Sequence, residues 1–345
     1  MPDVDIRSVE TVFERASETL VYSDRPSGLR GVLVIETTRG TTAVGGTRFM
    51  AYPSISAALV EMAEFAVAVT YKSVLAGLPC GGAKGAILGD PAKLKSEALL
   101  RAFGRVVQQL GGRYTVTPDW GMNPADLKIV ASECDYVTGI SGGTEPLVAA
   151  GVVEGIKAAA GVRNGSPSLA GLRIGIEGLA MSGPHLVELM LEENAHVIAA
   201  EPSAALRAAI GKEHPRVELL DSVATLQKTE LDVYCPCTGS GTLTKEYAAA
   251  GPVKIVCGAA NGQLASPDVE QVFSARGVTY VPEFAANGGG VVYCYEERIG
   301  YDEVRANKAI ASIGPTVTDI LNRAAREKRP ATDVAVEIAR EKLSA

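Results

Sequence analysis

Residues 172–176 (Leu-Arg-Ile-Gly-Ile) form an apolar run of strand length that leads straight into Glu177-Gly178-Leu179-Ala180-Met181-Ser182-Gly183. A helical pattern follows to Leu191, residues 196–200 read as a second strand, and Glu201 stands at its end. Strand, glycine turn, helix, strand and terminal acid in this register constrain the fold more than any other stretch. They match a unit in which a helix N-terminus approaches a pyrophosphate and an acid about 20 residues on holds the ribose hydroxyls. Gly178, Leu179, Ala180, Met181, Ser182 and Gly183 are therefore candidate dinucleotide contacts. Glu201 favours NAD over NADP, because a carboxylate repels the additional phosphate. Ala180 stands where the pattern usually has its middle glycine, and Arg207 is read as too far along to reverse the preference. The competing reading is an ordinary strand-to-helix crossover.

Further strands are expected at 232–235, 253–257 and 278–281, two of them ending in Thr238-Gly239-Ser240-Gly241 and Gly258-Ala259-Ala260-Asn261-Gly262. Short strands alternating with helices predict a parallel, doubly wound sheet, which binds ligands at the carboxyl ends of its strands. Asn261 is thereby placed to meet a nicotinamide. Residues 284–290 make a third glycine-rich turn, opening a helix with Val291 and Cys294, and the residues from 301 to 343 are helical with breaks at Pro315 and Pro330. A chain of 345 residues exceeds what one core usually supports, so two domains are expected, with residues 140–145 as the hinge.

The first half has a different character. Residues 8–20 show helical spacing, 29–36 a strand, 44–48 a turn that brings backbone close to a neighbour, and 54–75 a long apolar helix capped by Ser54. Gly77-Leu78-Pro79-Cys80-Gly81-Gly82-Ala83-Lys84-Gly85-Ala86-Ile87 then sets one lysine in an apolar, glycine-dense segment. An ammonium buried without an anion loses stability in its charged form, which would make Lys84 a base or nucleophile; a turn before a buried strand, with Lys84 snorkelling to water, is the alternative. Lys72 also has few polar neighbours in sequence. A helix over 92–110 and a strand over 113–116 precede Thr117-Pro118-Asp119-Trp120, where Asp119 is either a turn residue or a functional carboxylate, and Asn123 caps a helix running to residue 132.

Composition removes several classes of function. A net charge of -7 with scattered basic residues argues against nucleic acid, and no apolar run reaches the length of a membrane helix. The N-terminal residues lack the pattern of a signal peptide, so a cytoplasmic protein is expected. The six cysteines, spread along the chain, read as reduced core residues, with Cys235-Pro236-Cys237 the one close pair whose spacing also fits a redox or metal role. With three histidines, no metal site is expected.

In order along the chain stand Gly45-Gly46-Thr47-Arg48, Val69-Thr70-Tyr71-Lys72, Pro79-Cys80-Gly81-Gly82-Ala83-Lys84, Thr117-Pro118-Asp119, the turn at Gly178, Cys235-Pro236-Cys237, Gly258-Ala259-Ala260-Asn261 and Asn287-Gly288-Gly289-Gly290. Over residues 32–336 this set resembles the glutamate, leucine, phenylalanine and valine group of amino-acid dehydrogenases, most of all the shorter leucine, phenylalanine and tryptophan enzymes. The resemblance implies an α/β protein with an N-terminal substrate, catalytic and dimerisation domain (1–141), a Rossmann-type NAD-binding domain (142–318) and a helical tail (319–345) packing back towards the first domain. It implies NAD-dependent oxidative deamination of an L-amino acid by a homo-oligomer, dimer or octamer, with cleft closure excluding water. Lys72 would bind the substrate carboxylate, Lys84 would activate water, and Asp119 would shuttle protons. Gly45, Gly46, Thr117, Asn287, Val291 and Cys294 would meet substrate, and Cys237, Thr238 and Asn261 the cofactor. Small, uncharged residues at the pocket positions, Gly40 or Thr41 among them, suggest an apolar or aromatic substrate; Arg39 is either a solvated loop residue or, turned inward, a site for a polar group. Ala83, Val148, Ala180 and Gly262 depart from the family pattern, which keeps two further readings: a relative acting on another amino or imino acid with altered cofactor use, and a ligand-binding subunit.

Overall fold

The computed structural model describes residues 6–344, which fall into two compact units. The first takes the chain up to Thr144 together with Val291–Ala306; the second takes Glu145–Gly290 together with the chain from Asn307 onward.

The first unit runs α1 (Ile6–Arg15), β1 (Glu18–Asp24), β2 (Leu29–Ile35), β3 (Ala43–Met50), α2 (Ile55–Leu75), β4 (Gly81–Leu88), α3 (Pro91–Leu94), α4 (Glu97–Gln109), β5 (Tyr114–Thr117) and α5 (Pro124–Ala131). Its sheet has the order β1-β2-β4-β3-β5, antiparallel across the first three strands and parallel from β4 to β5. Both faces are covered, so the central strands read as continuous apolar runs and the period of two sorts their side chains. Leu29, Leu33 and Ile35 of β2 with Ala83 and Ile87 of β4 pack with Leu99, Leu100 and Phe103 of α4. Val32 and Val34 of β2 with Ala86 of β4 pack with Ala58, Met62 and Ala66 of α2. Lys84, two residues before Ala86, is therefore on the face covered by α2.

Three local expectations need correction. Residues 44–48 are not a turn but the middle of β3: their glycines serve close approach, since a Cβ on Gly45 would lie 1.7 Å from the Ala83 carbonyl oxygen of β4. The helix expected over 92–110 is broken between α3 and α4, because the Ser96 side chain accepts the Leu99 N–H at 3.3 Å and starts a new helix. The N-terminal helix stops at Arg15, and Glu18 already pairs with Ile35 in the sheet.

The second unit continues with α6 (Thr144–Asn164), β6 (Arg173–Glu177), α7 (Ser182–Glu192), β7 (His196–Ala200), α8 (Ala204–Glu213), β8 (Glu218–Leu220), α9 (Val223–Leu226), β9 (Leu231–Pro236), α10 (Lys245–Ala250), β10 (Val253–Val256), α11 (Val269–Ala275), β11 (Thr279–Tyr280) and α12 (Glu283–Ala286). Every strand pair is parallel, in the order β11-β10-β9-β6-β7-β8, which is the doubly wound order with its switch point between β6 and β9. The expected α/β class and doubly wound sheet are both present. Helix α13 (Gly289–Ile299) carries the chain into the first unit, and α14 (Glu303–Ala311) returns it to α15 (Ile313–Glu327) and α16 (Ala331–Ser344). Pro315 sits inside the first turn of α15, where a missing N–H costs nothing, rather than at a break. The buried Glu270 carboxylate of α11 accepts the Thr332 N–H at 3.1 Å and ties α16 to the sheet domain. No helix among the described residues is long and apolar enough to cross a membrane.

Candidate active site

The β3–β4–β5 register assembles a polar cluster on the α2 face of the first sheet. Gly46 of β3 stands beside Thr117 of β5, and Arg48 beside Ala86 of β4. Asp119 follows β5 by two residues and turns back over Gly46, where a Cβ would meet its Oδ2 at 2.6 Å. Only a glycine leaves the carboxylate this room.

Lys84 Nζ donates to Asp119 Oδ2. Asp119 Oδ1 accepts the Trp120 N–H at 2.7 Å and Arg48 Nε at 3.3 Å, while Arg48 Nη1 donates to Glu61 of α2 at 2.6 Å. The Phe65 ring of α2 lies 4.2 Å from the Arg48 guanidinium carbon and 5.2 Å from Lys84 Nζ, so one aromatic face serves both cations. Burial pushes the Asp119 carboxyl up, but the Lys84 charge and hydrogen bond, the Trp120 N–H and Arg48 outweigh it and hold it below its ordinary value. Lys84 is only 9% exposed. Its segment is thus a buried strand, as one reading expected, yet its ammonium has an anionic partner that the local sequence did not reveal.

Helix α2 approaches β4 closely because Gly82 has no side chain: a Cβ there would lie 2.4 Å from Ala66 O and Thr70 N. Thr70 Oγ1 accepts the Gly82 N–H at 3.0 Å and donates to Glu36 Oε2 at 2.6 Å. Lys72, two residues along, is half-buried. Thr117 is buried, and Cys294 of α13 joins its surroundings: a Cβ on Gly139 would meet Pro118 at 2.5 Å and the Cys294 sulfur at 3.6 Å. The neighbouring Val291 is half-buried on the same helix. Arg39 is exposed, and its guanidinium donates to Leu78 O at 2.7 Å while Thr41 donates to Pro79 O at 2.8 Å, fastening this loop to the segment before β4.

The second unit presents its own site at the switch point. Gly178 adopts φ +96°, and Gly183 packs where a Cβ would lie 2.2 Å from Gly178 O, so both glycines are required by the turn. Leu179 is buried and its N–H donates to Glu201 Oε2 at 3.0 Å; Glu201 Oε1 accepts the Ser203 N–H at 2.8 Å. Ala180 and Met181 are exposed at the tip, and Ser182 is buried at the start of α7. Met181 takes φ +47° and ψ -112°, a conformation suited to glycine. Cys237 and Thr238 leave β9 alongside, with Cys237 N–H donating to Glu177 O at 2.9 Å. Asn287, buried, donates from Nδ2 to Ala259 O and to Asn261 Oδ1, each at 3.0 Å. Its own Oδ1 is a buried acceptor with no protein partner among the described residues.

Some contributors escaped the sequence reading. Arg207 is not remote from Glu201: Ser203 caps α8, and one helical turn brings the Arg207 guanidinium onto the Glu201 and Pro202 carbonyls. Glu177, 1% exposed, lies beneath the Gly178 turn and accepts the Tyr234 and Thr238 hydroxyls; its position just before Gly178 was the available signal. The ties from Arg48 to Asp119 and Glu61 needed the strand register and had no sequence signal.

Comparison with known proteins agrees with this architecture. Residues 14–136 match the profile described as Glu/Leu/Phe/Val dehydrogenase, dimerisation domain, and residues 204–300 match that of glutamate/leucine/phenylalanine/valine dehydrogenase. Valine dehydrogenase from Streptomyces albus is 37% identical over 334 residues, covering 95% of this chain and 92% of that protein. Leucine dehydrogenase from Geobacillus stearothermophilus is 34% identical over 332 residues, covering 94% and 90%. The crystal structure of L-tryptophan dehydrogenase from Nostoc punctiforme superposes with a TM-score of 0.88 at 28% identity, over 97% of this chain and 98% of that one. These relatives are of nearly equal length and are matched over nearly the whole chain, and the chain belongs to the glutamate, leucine, phenylalanine and valine dehydrogenase family of amino-acid dehydrogenases.

Proposed function

We propose that the protein is an NAD-dependent L-amino-acid dehydrogenase that oxidatively deaminates an apolar or aromatic amino acid, reversibly, to the 2-oxo acid and ammonia. The observation that carries this reading is the Lys84–Asp119 pair, buried under Phe65 and backed by Arg48. Lys72 binds the substrate carboxylate as a point cation on a rigid helix. Asp119, held in its carboxylate form, takes a proton from the substrate amino group and releases it to solvent; Lys84 then passes its own proton to the freed carboxylate and, as the neutral amine, takes a proton from the water that adds to the imino carbon. Bound NAD supplies the hydride acceptor for the substrate α-carbon. Gly46 and Thr117 keep the sheet face around these groups small and uncharged, Gly45 lets β3 lie close against β4, and Val291 and Cys294 contribute apolar surface from α13.

The donor set suits NAD. Two glycines open the turn at α7, Glu201 stands at the end of β7 for ribose hydroxyls, and the unpaired Oδ1 of Asn287, whose Nδ2 holds Asn261, can accept from the substrate. Leu179 to Ser182 would face the pyrophosphate, with Cys237, Thr238 and Asn261 lining the opposite strand ends. The first unit carries the substrate and dimer contacts in this reading, the second binds the cofactor, and the enzyme works as a cytoplasmic homo-oligomer, dimer or octamer.

The test is NADH formation, followed at about 340 nm where reduced nicotinamide absorbs, across a panel of L-amino acids at alkaline pH. One apolar or aromatic substrate is expected to turn over. Lys84→Ala should lower kcat/KM about 10²- to 10⁴-fold while near-UV circular dichroism keeps the folded signature. Turnover only with acidic amino acids, or full activity of folded Lys84→Ala, contradicts the assignment.

A further inference from the structure

The switch point of the second sheet holds a thiol pair whose closeness the proposed reaction does not use. Cys235 and Cys237 lie two residues apart at the end of β9, so the strand period aims both side chains to one side. Their sulfurs are 3.7 Å apart. Cys235 is fully buried, whereas Cys237 is half-exposed at the mouth of the turn. The backbone between them is pinned: Cys237 N–H on Glu177 O at 2.9 Å, Ala260 N–H on Pro236 O at 3.0 Å, and Gly258 packed so closely that a Cβ would lie 2.3 Å from Pro236 O. These contacts fix the strand end in the reduced protein. Forming a bond of about 2.05 Å draws the Cys237 backbone towards Cys235, at the expense of its N–H bond to Glu177 O.

We propose that Cys235 and Cys237 are a reversible oxidation site, in which a hydroperoxide converts the pair to an intramolecular disulfide and thereby weakens binding at the adjacent dinucleotide turn. The accessible Cys237 sulfur attacks the peroxide, the O–O bond breaks, water or an alcohol leaves, and a sulfenic acid remains. The Cys235 sulfur then displaces the sulfenic oxygen as water, forming the S–S bond. Two thiols are oxidised and one hydroperoxide is reduced. A bridge across a single residue is strained and therefore readily reversed by thiols.

The coupling follows from what Cys237 and Thr238 touch. The Cys237 amide holds the end of β6 immediately before Gly178, and the Thr238 hydroxyl is bound to Glu177. A Cβ on Gly178 would lie 2.4 Å from the Thr238 methyl, so the two turns are in contact. Pulling Cys237 inward towards Cys235 shifts Thr238 against the glycine turn. This second half rests on the NAD assignment made above.

The full-length protein, reduced and freed of thiol, is treated with stoichiometric hydrogen peroxide, alkylated and digested with trypsin. Fragment 229–245 contains Cys235 and Cys237 and no other cysteine, and Cys257 falls in fragment 255–276. The expected product is fragment 229–245 lighter by two hydrogens and unalkylated, restored by dithiothreitol. In parallel the NADH dissociation constant, from fluorescence titration, should rise about tenfold, the equivalent of one lost hydrogen bond, and return on reduction. Cys235→Ser should give no bridge. Two alkylated thiols after peroxide, over-oxidised Cys237 without a bridge, or a bridge to Cys257 each overturn the site. A bridge that leaves NADH affinity unchanged overturns the coupling. If the reduced protein binds no NADH, the cofactor assignment fails and takes the coupling with it, while the mass measurement still decides the disulfide.

Discussion

Replacing Arg48 with glutamine tests whether the polar cluster works as a unit. Arg48 Nε lies 3.3 Å from Asp119 Oδ1, with side chains 24% and 16% exposed. A unit ion pair near this distance is worth about 4 kcal/mol at an effective dielectric of about 20. Arg48 is shared with Glu61, its bond to Asp119 is long, and solvent screens both ends, so we take about a third of that figure. About 1.4 kcal/mol corresponds to one pH unit. Because Arg48 lowers the Asp119 pKa, its removal raises it. The carboxylate that accepts the substrate proton is then lost at higher pH, and the acid limb of kcat/KM moves up by about one unit. The alkaline plateau should stay within about twofold, since Asp119 is ionised there in both proteins. Arg48→Lys should recover part of the shift. The assay is kcat/KM against pH for the three proteins with the identified substrate. A uniform loss of activity at every pH, with the acid limb unmoved, would refute the argument and reduce Arg48 to a packing residue over Phe65.

Other sites give sharper or simpler outcomes. Gly45→Ala forces a methyl into the Ala83 carbonyl of β4 and should destabilise the protein by about 3 kcal/mol or more, read as a lowered urea midpoint with an unchanged slope; a midpoint equal to the parent's would mean that the strands can part. Burial raises the Glu270 carboxyl above its ordinary 4.5 despite the Thr332 and Ala331 hydrogen bonds. Its contribution to stability is therefore full below that value and lost as pH rises through the folded pKa. Glu270→Gln should gain on the parent in Tm across that window, and parallel Tm curves above pH 4.5 would contradict the sign. Met181→Gly should relieve the left-handed strain and stabilise the fold by about 1 kcal/mol after the entropy of glycine is discounted, measured by denaturant unfolding; a loss of stability would mean that the exposed Met181 side chain has an unseen role.

The sheet domain was legible because its signals are local. The strand from His196 to Ala200 and the turn at Gly178 follow from apolar runs, glycine and a terminal acid, and the observed strand coincides with the expected one. Lys84 and Asp119 were also legible as singular residues, one cation among glycines and one acid past a strand. Their pairing was not: 35 residues and two helices separate them, and only the parallel register of β3, β4 and β5 brings them together. The glycines at 45 and 46 misled for the same reason. In sequence a glycine pair signals a turn, whereas here the partner needing space is a carbonyl on another strand and a carboxylate beyond a third. The contact of Arg207 with the Glu201 carbonyl had no signal in residue spacing, since it depends on one turn of α8 folding the guanidinium back.

The returning segment Val291–Ala306 bears on how the protein is made. The Gly139 N–H and the Ser141 hydroxyl bind the Glu297 carboxylate, and Cys294 fills space beside Pro118 and Gly139. A nascent chain of about 150 residues therefore carries the sheet and its helices without the element that completes them. The first unit must wait on the ribosome, through the synthesis of nearly the whole second one, before α13 emerges; at about 5 to 20 residues per second that is an interval of roughly ten to thirty seconds. During this interval the surface awaiting α13 is open to chaperones, and the unit cannot be cut out as a contiguous N-terminal fragment without losing the same partner.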